Sequence, residues 1–146
     1  MSKLQKFKRR AARRGQTVSL HAFSAWPTGD YVDTWSGEPD PDDVDYPATV
    51  PEPTYETAVS VTGFFQPATA QIAGASPRDQ PVRAPWGEEV QQAAIFYCPG
   101  DQEVSEKDKV VYGSDIYYVY SLSPRYDGSI LVHTEVYLTE SVPKVN

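Results

Sequence analysis

The stretch that decides the fold is Lys109-Val110-Val111-Tyr112-Gly113-Ser114-Asp115-Ile116-Tyr117-Tyr118-Val119-Tyr120-Ser121-Leu122. β-branched and aromatic residues fill both sides of Gly113-Ser114, and such residues favour strands. Glycine supplies the positive φ that a two-residue hairpin turn requires. The stretch therefore predicts two antiparallel strands joined by a tight turn.

The segments on either side of this hairpin have the same character. A second turn is predicted at Asp127-Gly128, after Ser123-Pro124. Further strand candidates, chosen for alternation or for β-branched and aromatic content, are residues 17–23, 55–66, 93–98 and 129–139. Short strands separated by Gly, Pro and Asp predict a mainly β protein, an antiparallel meander closed as a small β-barrel with long loops, or as a sandwich.

Two long irregular stretches interrupt the predicted strands. Residues 27–53 hold six prolines and many acids but no Lys or Arg, which excludes a regular helix or a central strand. Their acidic run lacks the spacing of an EF-hand, so an acidic loop is favoured over a calcium site. Residues 68–90, rich in Ala, Gln and Pro, are predicted to form a long exposed loop. The candidate acidic interface residues of the first insertion are Asp40, Asp42, Asp43 and Asp45.

The charges of the chain are divided by position. The 146 residues carry 13 Lys+Arg and 20 Asp+Glu, and this length fits one domain. The seven cations that precede Gln16 are Lys3, Lys6, Lys8, Arg9, Arg10, Arg13 and Arg14. The rest holds six cations against 20 acids, a balance of −14. The sequence thus predicts a basic arm over residues 1–16 on an acidic β-barrel domain over residues 17–146.

The arm is predicted to form a short helix over residues 3–14, with frayed ends and Gly15 as its C-cap. Its cations cover nearly the whole helix circumference. That distribution favours diffuse attraction to phosphate or to an acidic protein surface over a single recognition face.

Several classes of function are excluded or disfavoured. No apolar run is long enough to span a membrane, and the arm lacks the apolar region of a signal peptide. One cysteine and two histidines exclude an intrachain disulfide and leave too few ligands for a Cys/His zinc site. Cys98 is interpreted as a small buried hydrophobe and His133 as a cross-strand partner. We therefore expect no enzymatic activity, no metal and no cofactor.

The order of motifs resembles a known family. The chain is similar to the head-closure, or stopper, proteins of long-tailed bacterial or archaeal viruses. The segment 107–119, with an acidic residue before a Val-Val-Tyr-Gly hairpin, is the most typical. The other matching segments are Arg-Arg-Gly-Gln-Thr-Val-Ser-Leu (13–20), Gly-Phe-Phe-Gln-Pro (63–67), Pro-Trp-Gly-Glu-Glu-Val (85–90) and Ile-Phe-Tyr-Cys-Pro (95–99).

The resemblance implies a structural protein of the virion neck, assembled in the host cytoplasm. Such a protein forms a ring of six or twelve copies below the portal and adaptor proteins, retains the packaged DNA and offers the tail proteins a docking surface. It implies contact with double-stranded DNA passing through the channel, near a loop that here contains Arg78 and Arg83. No membrane is involved.

The insertion 27–53 and the basic arm depart from the family. For the arm we expect the acidic insertion of a neighbouring copy or another neck protein as the partner, with DNA in the channel second.

Two alternatives remain open. A tail terminator or a capsid decoration protein shares a small β fold with little catalytic content. A protein of another class, a single-stranded nucleic-acid-binding barrel, would stack bases on Tyr117, Tyr118 and Tyr120. That alternative requires cations beside these aromatic residues, and the region 93–140 supplies only Lys107, Lys109 and Arg125.

Overall fold

The barrel is formed by six antiparallel strands. The computed structural model describes residues 2–26, 42, 53–67 and 82–143. The elements are α1 (Lys3–Arg14), β1 (Gln16–His21), β2 (Phe23–Ala25), β3 (Thr54–Tyr55), β4 (Val59–Pro67), β5 (Val82–Arg83), β6 (Glu89–Val90), β7 (Ala94–Pro99), β8 (Lys109–Tyr112), β9 (Asp115–Asp127) and β10 (Ile130–Thr139). Six of the strands close the barrel in the order β1-β4-β7-β10-β9-β8. This confirms the predicted mainly β fold, a small antiparallel barrel with a short N-terminal helix.

Both predicted hairpin turns are confirmed. Gly113 has a φ of 63° and Gly128 a φ of 62°. Each glycine is the first of a Gly-Ser pair between paired strand residues, since Tyr112 pairs with Asp115, and Asp127 with Ile130. Positive φ at the first central residue is the pattern of a type II′ turn, whose twist matches that of the strands it joins.

The barrel interior is filled by the side chains that point inward from each strand. Successive side chains of a strand point to opposite faces of the sheet, so alternate residues enter the core. Val119, Val136 and Leu138 are fully buried. Their neighbours in the same apolar cluster are Val18, Leu20, Val61, Phe65, Ala94, Phe96, Cys98, Val110 and Tyr117.

Three of the predicted strands have clearly different bounds in the structure. The first ends at His21, and Phe23 lies in the separate strand β2. The fourth strand begins at Val59, because Tyr55 instead pairs with Phe23 in a separate two-stranded sheet. Strand β9 does not end before Ser123-Pro124 but continues to Asp127, with Pro124 opposite Thr134 of β10. Proline has no N–H to donate, and it is tolerated there because no described strand pairs with this part of β9 on the side away from β10.

A small hairpin covers the outer face of β9. Strands β5 and β6 pair, and between them Trp86 is buried against Tyr118 and Tyr120. The prediction that residues 68–90 are exposed is therefore wrong for Ala84, Trp86 and Val90, which are buried in an apolar cluster outside the barrel. It is confirmed for Val82, Arg83, Pro85 and Glu89.

The same packing corrects the proposed base-stacking tyrosines. Tyr117 points into the barrel, whereas Tyr118 and Tyr120 lie beneath the hairpin, and each of the three is at most 7% exposed. These rings have no free face on which a base could stack.

Candidate interaction surface

Helix α1 is capped at both ends. The Ser2 hydroxyl accepts a hydrogen bond from the Gln5 N–H, and the Gln5 side chain accepts one from the Ser2 N–H. This reciprocal pair is a capping box, which satisfies two donors that the first helical turn leaves free. At the other end, the Gly15 N–H donates to the Ala11 carbonyl, which confirms the predicted C-cap.

The helix lies on the barrel through Phe7 and Ala11, both buried. Phe7 stacks on His133 of β10 with ring centroids 5.3 Å apart and planes within 11°. It meets Phe64 of β4 edge to face at 5.5 Å. Residues four apart lie on the same helix face, so this pair sets which side of the helix faces the barrel.

Two glycines fix how closely the helix approaches. A Cβ atom on Gly15 would lie 2.1 Å from the Gly63 carbonyl oxygen, and one on Gly63 would lie 2.1 Å from the backbone carbonyl oxygen of Tyr97. Real side chains do not fit at such distances. Backbone contact therefore runs from the end of α1 through β4 to β7, and it holds the helix close to the barrel wall.

Two of the seven arm cations pair with acids of the barrel. Lys8 Nζ lies 2.5 Å from an Asp101 carboxylate oxygen, and Lys3 Nζ lies 3.8 Å from one of Asp127. These exposed pairs each contribute at most about 1 kcal/mol. They remove Lys3 and Lys8 from the set of cations that remain available to a partner.

The other five cations form one face of α1, which we call the basic stripe. All five are exposed, and their spacing of three or four residues places them along one side of the helix. The prediction that cations cover nearly the whole circumference fails only on the side of Phe7 and Ala11, which is buried against the barrel. The basic stripe consists of Lys6, Arg9, Arg10, Arg13 and Arg14.

The basic stripe borders an apolar cavity that we call the aromatic seam. Phe7, Phe64, Tyr97, His133 and Arg10 line a space of about 360 Å³. The Arg10 guanidinium lies 5.7 Å from the centroid of the Phe64 ring and 6.0 Å from that of Phe7. One residue, Arg10, thus belongs to both the stripe and the seam.

The seam contains a histidine with a perturbed pKa. Burial lowers the pKa of His133 below its ordinary value; Arg125 and Arg10 act in the same direction, and Glu135 opposes them. Its Nδ1 atom is buried, with no hydrogen-bond partner among the described residues. The His133 ring contacts the rings of Phe7 and Tyr97, and its centroid lies 6.0 Å from that of Tyr97.

Acidification is expected to destabilise the protein through His133. A base whose pKa is lowered by folding binds fewer protons in the native state, so stability falls as pH drops below the unfolded-state pKa of about 6.5. The measurement is the free energy of unfolding in denaturant at pH values from 7.5 down to 5. The His133→Phe variant keeps a stacking ring without a titrating group and should lose less stability over this range. Equal losses in both proteins would contradict the prediction.

The structure describes two of the other predicted site residues, Arg83 and Asp42. Arg83 is exposed, and its guanidinium donates to the Gly87 carbonyl at 2.6 Å. Asp42 is exposed. Outside the described residues lie Arg78, Asp40, Asp43 and Asp45.

Nucleophilic and metal-binding side chains were sought in the part of the chain that the structure describes. Cys98 is buried in the barrel, where burial raises the pKa of its thiol to about 12 and keeps it protonated. No group of three or more His, Cys, Asp or Glu side chains that could hold a metal occurs among residues 2–26, 42, 53–67 and 82–143. Over the same residues, no helix combines the length and apolar character needed to cross a membrane.

A groove of the opposite charge lies at the other end of the barrel. Glu89 and Glu140 line a polar space of about 610 Å³ beside Ala93 and Thr139. Strands β7 and β10 pair from Ala94–Leu138 at the groove end to Pro99–His133 at the helix end. The acidic groove and the basic stripe therefore lie at opposite ends of the same strand pair.

The aromatic seam was missed by sequence reasoning because its rings come from four elements distant in the chain. The one available signal was the pair Phe7 and Ala11, whose spacing marks an apolar helix face. No protein-family model matches the chain, and a comparison with curated proteins finds no match either.

Proposed function

We propose that this chain is a ring-forming head-closure protein of the neck of a long-tailed virus, with a structural and not an enzymatic role. In this role it sits below the portal and adaptor proteins, retains packaged DNA and docks the tail. The observation that carries the proposal is the pairing of a closed β-barrel with a one-sided basic stripe. An oriented charged face on a rigid barrel suits assembly with neighbouring subunits and contact with DNA.

The placement of the family-like segments supports the proposal. Segment 13–20 runs from the end of α1 into β1, segments 63–67 and 95–99 lie on the adjacent strands β4 and β7, and segment 107–119 holds the β8–β9 turn. Segment 85–90 belongs to the hairpin that covers β9. The residues that carry the resemblance thus form one structural unit.

The charge distribution supports a head-to-tail contact between copies. Unlike surfaces on the two ends of a subunit give heterologous contacts, which close into rings when the rotation permits. The basic stripe lies at one end of the β7–β10 pair, and Glu89 and Glu140 lie at the other. The acidic insertion 27–53 of a neighbouring copy is the second partner proposed for the stripe, and the DNA in the channel is the third.

Purified protein at low salt is expected to form rings of six or twelve copies, seen by electron microscopy and native mass spectrometry. Because the contact is electrostatic, raising the salt concentration should disperse the rings. The double variant Arg9→Gln/Arg13→Gln should disperse them at lower salt than the natural sequence does. The matched variant Lys107→Gln/Lys109→Gln, with the same charge change outside the stripe, should not.

A monomer under all conditions would contradict ring formation. Location distinguishes head closure from its structural alternatives. Antibodies against the purified chain should label the junction between head and tail in virus particles that contain it. Labelling across the head surface would instead identify a decoration protein, and labelling at the end of isolated tails would identify a tail terminator.

A further inference from the structure

The basic stripe and the aromatic seam together form a surface with two kinds of contact. Single-stranded nucleic acids are bound where cations follow the backbone and aromatic rings stack on the bases. The buried tyrosines of β9 do not offer this combination. On the helix side of the barrel, five exposed cations border a cavity lined by four aromatic rings, and Arg10 is shared by both.

We propose that the aromatic seam binds an unstacked nucleobase of a single-stranded nucleic acid, while the basic stripe contacts the phosphates on either side of it. The base enters beside Phe64 and Tyr97, both only partly buried, and stacks on an aromatic ring next to the Arg10 guanidinium. The phosphates then lie along Arg9, Arg13 and the rest of the stripe.

The dimensions and charges of the seam suit this ligand. The seam is an open depression of about 360 Å³, which is large enough to receive a base with its sugar. Its lining is aromatic, and the nearby carboxylate of Glu135 is already engaged by Arg125. The guanidinium offers both a stacking plane and a charge, which a lysine ammonium does not.

A second cluster of cations and rings is less suited to this role. Lys107 lies over Phe23 and Trp26, at 5.3 and 5.4 Å from their ring centroids. However, the Phe23 N–H donates to the buried carboxylate of Asp108 at 2.8 Å, and Glu103 lies close by. Acids at this distance oppose phosphate binding. This cluster therefore provides a matched control.

The test uses fluorescence anisotropy with the full chain and three labelled probes. These are a thymidine strand of about 12 nucleotides, an abasic strand of equal length and a duplex. The thymidine strand is expected to bind about 5- to 150-fold more tightly than the abasic strand, the range given by stacking one base. Phe64→Ala should remove this preference and leave abasic binding unchanged. Phe64→Leu keeps an apolar side chain at the site but has no ring, so it should also reduce the preference for the thymidine strand.

Charge and stacking are separated by further variants. Arg9→Gln/Arg13→Gln should weaken both strands alike and reduce the slope of log affinity against log salt by about 1.4, as expected for two lost phosphate contacts. Arg10→Lys should reduce the preference for the thymidine strand more than it reduces abasic binding. Phe23→Ala, the control, should retain the preference.

Three results would overturn the proposal. Equal affinity for thymidine and abasic strands would leave only an electrostatic surface. Tighter binding of the duplex would mean that the seam takes no base. Competition by polyglutamate as effective as that by the thymidine strand would identify an acidic protein as the partner. Ring formation is a separate readout, since the Phe64 variants should still assemble, so the neck role and the base site can fail independently.

Discussion

Replacement of Leu138 by alanine is expected to lower the free energy of unfolding by about 2–5 kcal/mol. Leu138 has no exposed surface and lies in the centre of the apolar cluster that closes the barrel. Its truncation leaves a cavity that the surrounding strands cannot collapse to fill, because all six are linked edge to edge. The loss should therefore be felt by the whole barrel.

Denaturant unfolding followed by tryptophan fluorescence and circular dichroism measures this effect. The matched control is Ile130→Ala on the same strand, since Ile130 is 42% exposed and its truncation should change stability by less than about 0.5 kcal/mol. A Leu138→Ala protein as stable as the control would mean that the barrel centre is not a tightly packed core.

Replacement of Phe7 by alanine is expected to release helix α1 without unfolding the barrel. Phe7 is 4% exposed and makes the ring contacts to His133 and Phe64 that hold the helix. Loss of a buried phenylalanine costs about 3–5 kcal/mol, whereas the exposed pairs of Lys3 and Lys8 contribute little. An isolated helix of 12 residues is marginal in water, so it should unfold once released.

Amide hydrogen exchange distinguishes local release from global unfolding. Amides of α1 should lose protection by about a hundredfold or more, while those of β7 and β10 stay protected. Leu4→Ala, at a partly buried position on the same helix, should have a smaller effect. Equal loss in helix and barrel would show one cooperative unit. Because the seam loses a wall with Phe7, the preference for the thymidine strand should disappear as well.

The parts of the fold that sequence predicts are those governed by local chemistry. Turns at Gly113 and Gly128 follow from the backbone freedom of glycine, and the strands beside them from alternation. Local rules fail where the surroundings in the fold decide the outcome. The sequence predicts that the strand ends before Ser123-Pro124, but a strand edge without a partner accepts proline. It likewise predicts an accessible ring for Tyr118, but Trp86 packs against that ring.

The site was predictable in composition but not in arrangement. The seven arm cations are evident in the sequence, and so is the apolar pair at positions 7 and 11. Which cations remain free depends on Asp101 and Asp127, more than 90 residues away in the chain. The meeting of Arg10 with Phe64 depends likewise on the close approach that Gly15 and Gly63 permit.

After the residues that pair with β8, strand β9 has one edge without a strand partner among the described residues. This edge affects how the protein can bind a strand of another chain. Strand addition by a partner requires a row of backbone donors and acceptors, and Pro124 interrupts the donors in the middle of that edge. Each of the other barrel strands pairs with two neighbouring strands among the described residues. At this edge of the barrel we therefore expect recognition by side chains, so in the ring proposed above ionic strength should govern when the subunits assemble and when they separate.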